Sequence, residues 1–254
     1  MHIDLNCDLG ESFGRYTLGG DADIIPLISS CNIACGMHAG DPIVMRKTVE
    51  WAKQAGIAIG AHPGYPDLQG FGRRSMDLSP DEVYSFVLYQ IAALNGFCQA
   101  AHTHLSHVKP HGQLYNRCAV DTACAQACAQ AVYDLDPQLI LVGLAGSKLI
   151  DAGQQRGLTC AGEFFADRNY TSAGTLVPRR DDQAVITDEA YATNRLCEAI
   201  RTHTIKALTG ETIQIQADTI CVHGDNEHAR AFVRRIRQAL SDADIDIAPV
   251  SASK

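Results

Sequence analysis

His2-Ile3-Asp4-Leu5-Asn6-Cys7-Asp8 is the stretch that decides the fold. Ile3, Leu5 and Cys7 alternate with Asp4, Asn6 and Asp8 at the two-residue period of an extended strand, so one face is apolar and the other carries two acids and an amide. In a closed sheet the polar face would look into the barrel. An inward carboxylate is costly unless it is paired or solvated, so the mouth of a barrel is its natural home. Two readings stay open at this point: Asp4 and Asn6 build a structural network with only Asp8 reaching substrate, or all three face a ligand.

Five further segments share the design of an apolar run that stops at residues able to do chemistry: Ile33-Ala34-Cys35-Gly36-Met37-His38, Ile57-Ala58-Ile59-Gly60-Ala61-His62, Val108-Lys109-Pro110-His111, Cys160-Ala161-Gly162-Glu163 and Ile220-Cys221-Val222-His223-Gly224-Asp225. Buried parallel strands read as apolar runs, and ligands of parallel α/β folds bind beyond the carboxyl ends of the strands. Leu139-Ile140-Leu141-Val142 and Leu27-Ile28-Ser29-Ser30 are additional strand candidates. Between the strands lie helical patterns. Asp41-Pro42 reads as an N-cap followed by proline at the first helical position, and Ser79-Pro80-Asp81-Glu82 matches a capping box. Further helices are expected near 120–133, 147–156, 188–208 and 226–241. Strand and helix alternate throughout, which predicts an α/β fold closed as a TIM-like (β/α) barrel with about seven parallel strands. Residues 1–250 read as a single barrel domain and 251–254 as a loose C-terminal tail.

The chain has 254 residues and a formal net charge of −8, which argues against a basic nucleic-acid footprint. No apolar run approaches the ~20 residues of a membrane span. No basic region followed by an apolar one opens the chain, so the expected location is cytoplasmic. The 10 cysteines include no Cys-x-x-Cys pair and are expected to be reduced core thiols. Two long irregular connections, 64–78 with Arg73 and 166–186 with Asp167, Arg168 and Arg179, follow strand ends and are expected to cover the pocket. Nucleotide-binding glycine loops and the Gly-x-Ser-x-Gly elbow are absent.

Asp8, His62, Lys109, His111 and Glu163 are the candidate catalytic residues. Glu163 or Asp8 would serve as base, His62 or His111 as acid. Lys109 would hold an anion or, with a lowered pKa, act as a base itself; a purely structural pairing with Glu163 or Asp8 is its alternative. Asn6, His38, Arg73, Asp167, Arg168, His223 and Asp225 are the candidate substrate contacts, the arginines as anion clamps or only as braces of their loops. No residue is assigned as a resident metal ligand, although Asp8, His38 and His62 could together take a divalent metal.

Asp4-Leu5-Asn6-Cys7-Asp8-Leu9-Gly10-Glu11, Asn32-Ile33-Ala34-Cys35-Gly36-Met37-His38-Ala39-Gly40-Asp41, Gly60-Ala61-His62-Pro63, Gly70-Phe71-Gly72-Arg73-Arg74, His107-Val108-Lys109-Pro110-His111-Gly112, Glu163-Phe164-Phe165-Ala166-Asp167-Arg168 and Cys221-Val222-His223-Gly224-Asp225 occur in that order. In this combination the chain closely resembles the lactam-utilisation family, the A subunits of prokaryotic ATP-dependent 5-oxoprolinases, over residues 2–248. The resemblance implies a barrel related to the glycoside hydrolase/deacetylase superfamily. It also implies opening of 5-oxoproline to L-glutamate with partner subunits B and C, and ATP consumed by the complex at a site not located in this chain. Phosphorylation of the amide oxygen would make the carbonyl carbon of an otherwise inert lactam electrophilic. Met37 stands where the family usually has Phe, and Ala173 where it usually has Asp. A metal-dependent deacetylase of N-acetylated carbohydrate, with Asp8, His38 and His62 as ligands, is the rival activity. Nucleic-acid and membrane partners are not expected; self-association is left open.

Overall fold

Ile3, Leu5, Cys7 and Leu9 on β1 (His2–Leu9) are all buried between sheet and helices, while Asp4, Asn6 and Asp8 turn inward. The alternation read from the sequence is therefore the alternation of a barrel wall. In the computed structural model, which describes residues 1–222 and 227–251, the wall continues through β2 (Ser30–Ala34), β3 (Ala58–His62), β4 (His107–Val108), β5 (Ile140–Leu144) and β6 (Cys160–Phe165). A short antiparallel hairpin of β7 (Thr204–Lys206) and β8 (Thr212–Gln214) intervenes before β9 (Thr219–Val222). All pairings around the barrel are parallel, and β9 pairs with both β6 and β1, which closes seven strands into a cylinder. β10 (Asp246–Ile247) adds to the start of β1. The expected barrel of about seven parallel strands is the observed architecture.

Around it run α1 (Asp21–Ile24), α2 (Pro42–Ala55), α3 (Pro80–Ala100), α4 (Gly112–Val120), α5 (Thr122–Leu135), α6 (Lys148–Arg156), α7 (Glu189–Thr202) and α8 (Glu227–Asp242). The caps act as read: Asp41 accepts from the backbone of Ile43 and Val44, and Ser79 with Glu82 closes a reciprocal capping box. All ten cysteines are free, and eight are buried as small apolar side chains. Among the described residues no helix is long and apolar enough to cross a membrane.

Three boundaries differ from expectation. The segment 27–30 is not itself a strand; Ile25–Leu27 form a short 3-10 turn and the strand starts at Ser30. The element expected across 108–111 is a strand only at 107–108, because Pro110 has no N–H to continue a ladder. The helix expected to run to 208 stops at Thr202, where His203 takes a left-handed conformation (φ 54°) and the β-branched Thr-Ile pairs beyond it form the hairpin.

Candidate active site

The barrel interior is polar from floor to mouth, and it is layered. At the floor the Asp4 carboxylate accepts from Ser29 Oγ (2.6 Å), Ser30 Oγ (2.8 and 2.9 Å) and the Thr219 hydroxyl. Burial raises the Asp4 pKa, with the three hydroxyls working against that rise. One layer up, Asn6 uses every valence: its amide nitrogen donates to Glu163 Oε1 (3.0 Å) and Thr219 Oγ1 (2.7 Å), and its oxygen accepts from Asn32 Nδ2 (2.7 Å) and Lys109 Nζ (3.1 Å). His107 donates toward Asn32 from Nε2 (2.9 Å) across the space that glycine leaves at position 60, where a Cβ would collide with the imidazole. These residues form the structural network that was one of the two readings of the first strand.

At the mouth Lys109, only 2% exposed, lies between two carboxylates, with Nζ 2.9 Å from Asp8 Oδ1 and 2.8 Å from Glu163 Oε1. Burial disfavours its charge, but Asp8, Cys221 and Glu163 outweigh burial and hold the ammonium well above the usual lysine range. Lys109 is therefore a fixed cation and not a base. Burial likewise opposes ionisation of Asp8, and His62 and Lys109 overcome it, so this carboxyl sits well below its ordinary range. Asn32 Nδ2 adds a hydrogen bond to Asp8 Oδ1 at 2.9 Å. Glu163 is fully buried beneath Lys109 and does not line the cavity above. The Tyr115 hydroxyl lies beside the Glu163 carboxylate and interacts with it, and neither this hydroxyl nor Glu163 Oε2 has another partner. Burial, then Glu163, hold the Tyr115 phenol well above its usual value.

On the other side of Asp8 three histidines meet. His62 Nε2 lies 3.2 Å from Asp8 Oδ2 and 2.9 Å from His111 Nδ1. The outer nitrogens of this pair face main-chain carbonyls: His62 Nδ1 donates to Lys109 O (2.7 Å) and His111 Nε2 to Phe71 O (2.8 Å). His38 stacks on His111 with ring centroids 3.7 Å apart, and neither of its buried nitrogens has a hydrogen-bond partner. Burial holds His38 and His111 well below the usual imidazole range, with His111 and His62 adding to the effect at His38 and His62 at His111. One carboxylate oxygen of Glu11 lies 3.8 Å from His38 Nε2 and 3.9 Å from His111 Nδ1. Glu11, His38, His62 and His111 each offer one donor atom within 4.8 Å of the others, a cluster able to hold a metal ion. Gly72 permits this packing. It has φ +61°, and a Cβ there would stand 2.8 Å from the His38 Cβ and 2.9 Å from His111 Cδ2.

A cavity of about 590 Å³ opens above Asp8, Lys109, His62 and His111. Both irregular connections cover it as expected, with Arg73 and Ser75 from the first and Thr175 to Arg180 from the second. The second is held in place by bridges Arg168–Val185 and Tyr170–Leu176 and by the buried Tyr170, whose hydroxyl accepts from Phe165 N at 3.0 Å. Arg168 borders the cavity, but its guanidinium donates to Ala184 O (3.2 Å) and Val177 O (2.6 Å), so it braces the loop. Burial, then Arg179, lower its pKa to about 10, which leaves it charged at neutral pH. Asp167, Asn6 and His38 do not line the cavity. His223, Asp225 and 252–254 lie outside the described residues.

Sequence reasoning missed Glu11 and Tyr115. Glu11 sits two residues past the end of β1, and its role depends on histidines from three other elements. Tyr115 follows His111 by one helical turn on α4, a signal that would have found it. Cys7 and Cys35, the two thiols nearest the site in the sequence, are buried, and burial pushes both thiols up.

A closed parallel barrel with acids, a lysine and histidines at the carboxyl ends of its strands, under a covered cavity, defines this chain as an α/β-barrel protein with an enzyme-type mouth. Residues 3–254 match the LamB/YcsF family, and the chain belongs to it. It is 54% identical over 247 residues to the 5-oxoprolinase A subunit of Staphylococcus carnosus, covering 97% of this chain and 98% of that one. With the 5-oxoprolinase A subunit of Bacillus subtilis it shares 51% identity over 254 residues, 100% and 99% of the two chains. The lactam utilization protein from Thermus thermophilus, a solved structure, superposes with a TM-score of 0.92 at 43% identity, covering 98% of this chain and all of that one.

Proposed function

We propose that this chain is the ring-opening component of a 5-oxoprolinase, acting on 5-oxoproline to give L-glutamate, in the cytoplasm and together with subunits B and C that spend ATP. The observation that carries this is the match, end to end and above half identity, with proteins named as the A subunits of 5-oxoprolinases. Those names favour a lactam over an N-acetylated carbohydrate as substrate. The cavity fits the chemistry as well, since its floor holds a carboxylate and a fixed cation and its wall carries Arg73 and Arg179 toward an anionic ligand.

Asp8 is the group assigned to proton transfer, because of the two candidate catalytic carboxylates, Asp8 and Glu163, it is the one that borders the cavity, together with Lys109 and His62. A carboxylate held this low is a weak base toward ordinary water, and it suits an electrophile that has already been activated. With the lactam oxygen phosphorylated, water adds to the ring carbon and Asp8 takes its proton. That proton passes to the ring nitrogen, and as the carbonyl re-forms the C–N bond breaks, with the proton of the adduct hydroxyl also going to the freed amine. This leaves a carboxyl phosphate, which a second water converts to glutamate and inorganic phosphate. Lys109 keeps Asp8 ionised and lies under the developing negative charge. Glu163 acts through Lys109 as a positioning residue.

The test is glutamate release from 5-oxoproline with ATP, by the chain alone and with subunits B and C. Release only in the mixture is expected. Absence of release from a mixture of folded subunits with working ATP hydrolysis overturns the reading.

A further inference from the structure

We propose that Glu11, His38, His62 and His111 form a binding site for one divalent transition-metal ion of the zinc class, next to Asp8 but not using it as a ligand. Hydrogen-bond accounting carries the argument. His62 Nδ1 and His111 Nε2 both face main-chain carbonyls, at 2.7 and 2.8 Å, so each carries its hydrogen there. In the neutral rings the inner nitrogens, His62 Nε2 and His111 Nδ1, are lone-pair donors that point at each other across 2.9 Å, and a proton taken up there makes His62 the cation that lowers Asp8. Glu11 Oε1 lies 3.9 Å from one of them, and Asp8 Oδ2 3.2 Å from the other. Several lone pairs thus converge on one point, which requires positive charge.

A single shared proton would reconcile His62 with His111 and Asp8. It would leave His38 unanswered. That imidazole is completely buried, neither nitrogen has a hydrogen-bond partner, and Glu11 is 3.8 Å from its Nε2, too far for a hydrogen bond. Burying two unsatisfied ring nitrogens is unfavourable unless something binds them. A cation among the four residues answers one of the two His38 nitrogens together with the facing lone pairs of His62, His111 and Glu11. In the tetrahedral shell that zinc prefers, metal–ligand distances of about 2.1 Å set donors about 3.4 Å apart. The four donor atoms lie within 4.8 Å of one another, so the longest gap closes by up to about 1.4 Å as the ion binds, through rotation of His38 off its stack on His111 and movement of Glu11, the least buried of the four.

The outer hydrogen bonds complete the pattern. Metal-bound histidines characteristically donate their other N–H to a carbonyl or carboxylate, which fixes ring orientation. Lys109 O and Phe71 O do this for His62 and His111. Three imidazoles and one carboxylate suit zinc, cobalt or iron(II) better than magnesium, which prefers an all-oxygen shell. The Asp8, His38, His62 set expected from the sequence changes accordingly. Asp8 Oδ1 is committed to Lys109 and Asn32, and Glu11 and His111 take its place. The chemistry such an ion supplies is Lewis-acid activation of water or an amide oxygen, and Asp8 is the neighbouring group able to take a proton.

This inference goes beyond the ring-opening reading and does not depend on it, because binding is measured on the isolated full chain without substrate or partners. The chain is stripped with chelator and titrated with Co2+, read by its visible absorption, and with Zn2+, read by calorimetry and by metal analysis after desalting; Mg2+ serves as the comparison. The expected result is one Zn2+ or Co2+ per chain, retained on desalting, with the absorption of a four- or five-coordinate cobalt centre and no comparable Mg2+ binding. Glu11→Gln, the gentlest change, and His111→Asn should each weaken binding more than about tenfold, with circular dichroism confirming that the variants fold. A His102→Asn/His104→Asn variant, remote from the cluster, should bind as the parent does. Only weak, non-stoichiometric binding to the stripped chain, or tight binding unaffected by Glu11→Gln and His111→Asn in folded protein, overturns the proposal. Loss of ring opening with metal binding intact would count against the proposed function alone.

Discussion

The floor and the mouth of the barrel are built from the same kinds of side chain on the same strands, yet they differ in how fully those side chains are matched. At the floor Asp4 and Asn6 are surrounded by hydroxyls and amides that use up their bonding capacity. At the mouth the two buried ring nitrogens of His38 have no hydrogen-bond partner, and Glu163 Oε2 and the Tyr115 hydroxyl have only each other. Each such group costs about 1–3 kcal/mol, and a fold retains that cost where the groups have something else to bind. Polarity inside a barrel is thus poor evidence of function, whereas unmet bonding capacity is good evidence.

Four experiments would break or sharpen this contrast. Lys109→Met should have the largest effect, because it strips the buried cation from Asp8 and Glu163 together. Breaking a buried pair from one side costs about 3–5 kcal/mol, so a fall of this size in denaturant unfolding, along with loss of turnover, is expected; an unchanged midpoint would show that the mouth is not held by charge. Asp8→Asn should separate the two properties. Turnover in the three-subunit mixture is expected to fall about 10²–10⁴-fold, with a smaller loss of stability than in Lys109→Met, since Glu163 still pairs Lys109 and Asn keeps the shape and one acceptor oxygen. Asp4→Asn should do the reverse, costing about 1–2 kcal/mol with turnover per folded molecule within about threefold of the parent. If Asp4→Asn abolished turnover in folded protein, floor and mouth would not be distinct.

The smallest effect concerns His107. Burial, then the Lys109 charge, lower its pKa to about 3. A histidine depressed in the folded state contributes stability that is complete above its unfolded pKa near 6.5 and is lost as pH falls toward the folded value. NMR should find this ring neutral through pH 5, and His107→Gln should flatten the acid side of the stability profile between about pH 6.5 and 3.

The wall of the barrel was legible in the sequence because alternation and strand-end chemistry are local properties. Ile3 to Leu9 could be sorted by face from one strand, and the caps at Asp41 and Ser79 from a few residues each. The five residues named for catalysis do converge in space. What the sequence did not disclose were properties of partners brought together from afar. Glu163 looked like a base at a strand end, but its place below Lys109 follows from the depth at which β6 pairs with β9. Arg168 looked like a clamp and is a brace, because the loop it anchors folds back over its own start. Glu11 lay beyond the periodic part of its strand, and its neighbours His38 and His111 come from distant segments of the chain.

The seam of the barrel sets a timetable for the molecule. β1 carries Asp8 and is made first, but one of its two barrel neighbours is β9, paired in the register Asp4–Thr219 to Cys7–Val222. On a ribosome adding about 5–20 residues per second, the first strand waits on the order of ten to forty seconds for that neighbour. The barrel can close only once β9 is made, and contacts this distant in sequence make for slow folding. During the wait one edge of β1 is unpaired, and its alternating charges at Asp4 and Asp8 discourage pairing with another nascent chain. The acids that end up at the floor and mouth of the finished barrel therefore also guard the strand while it is still alone.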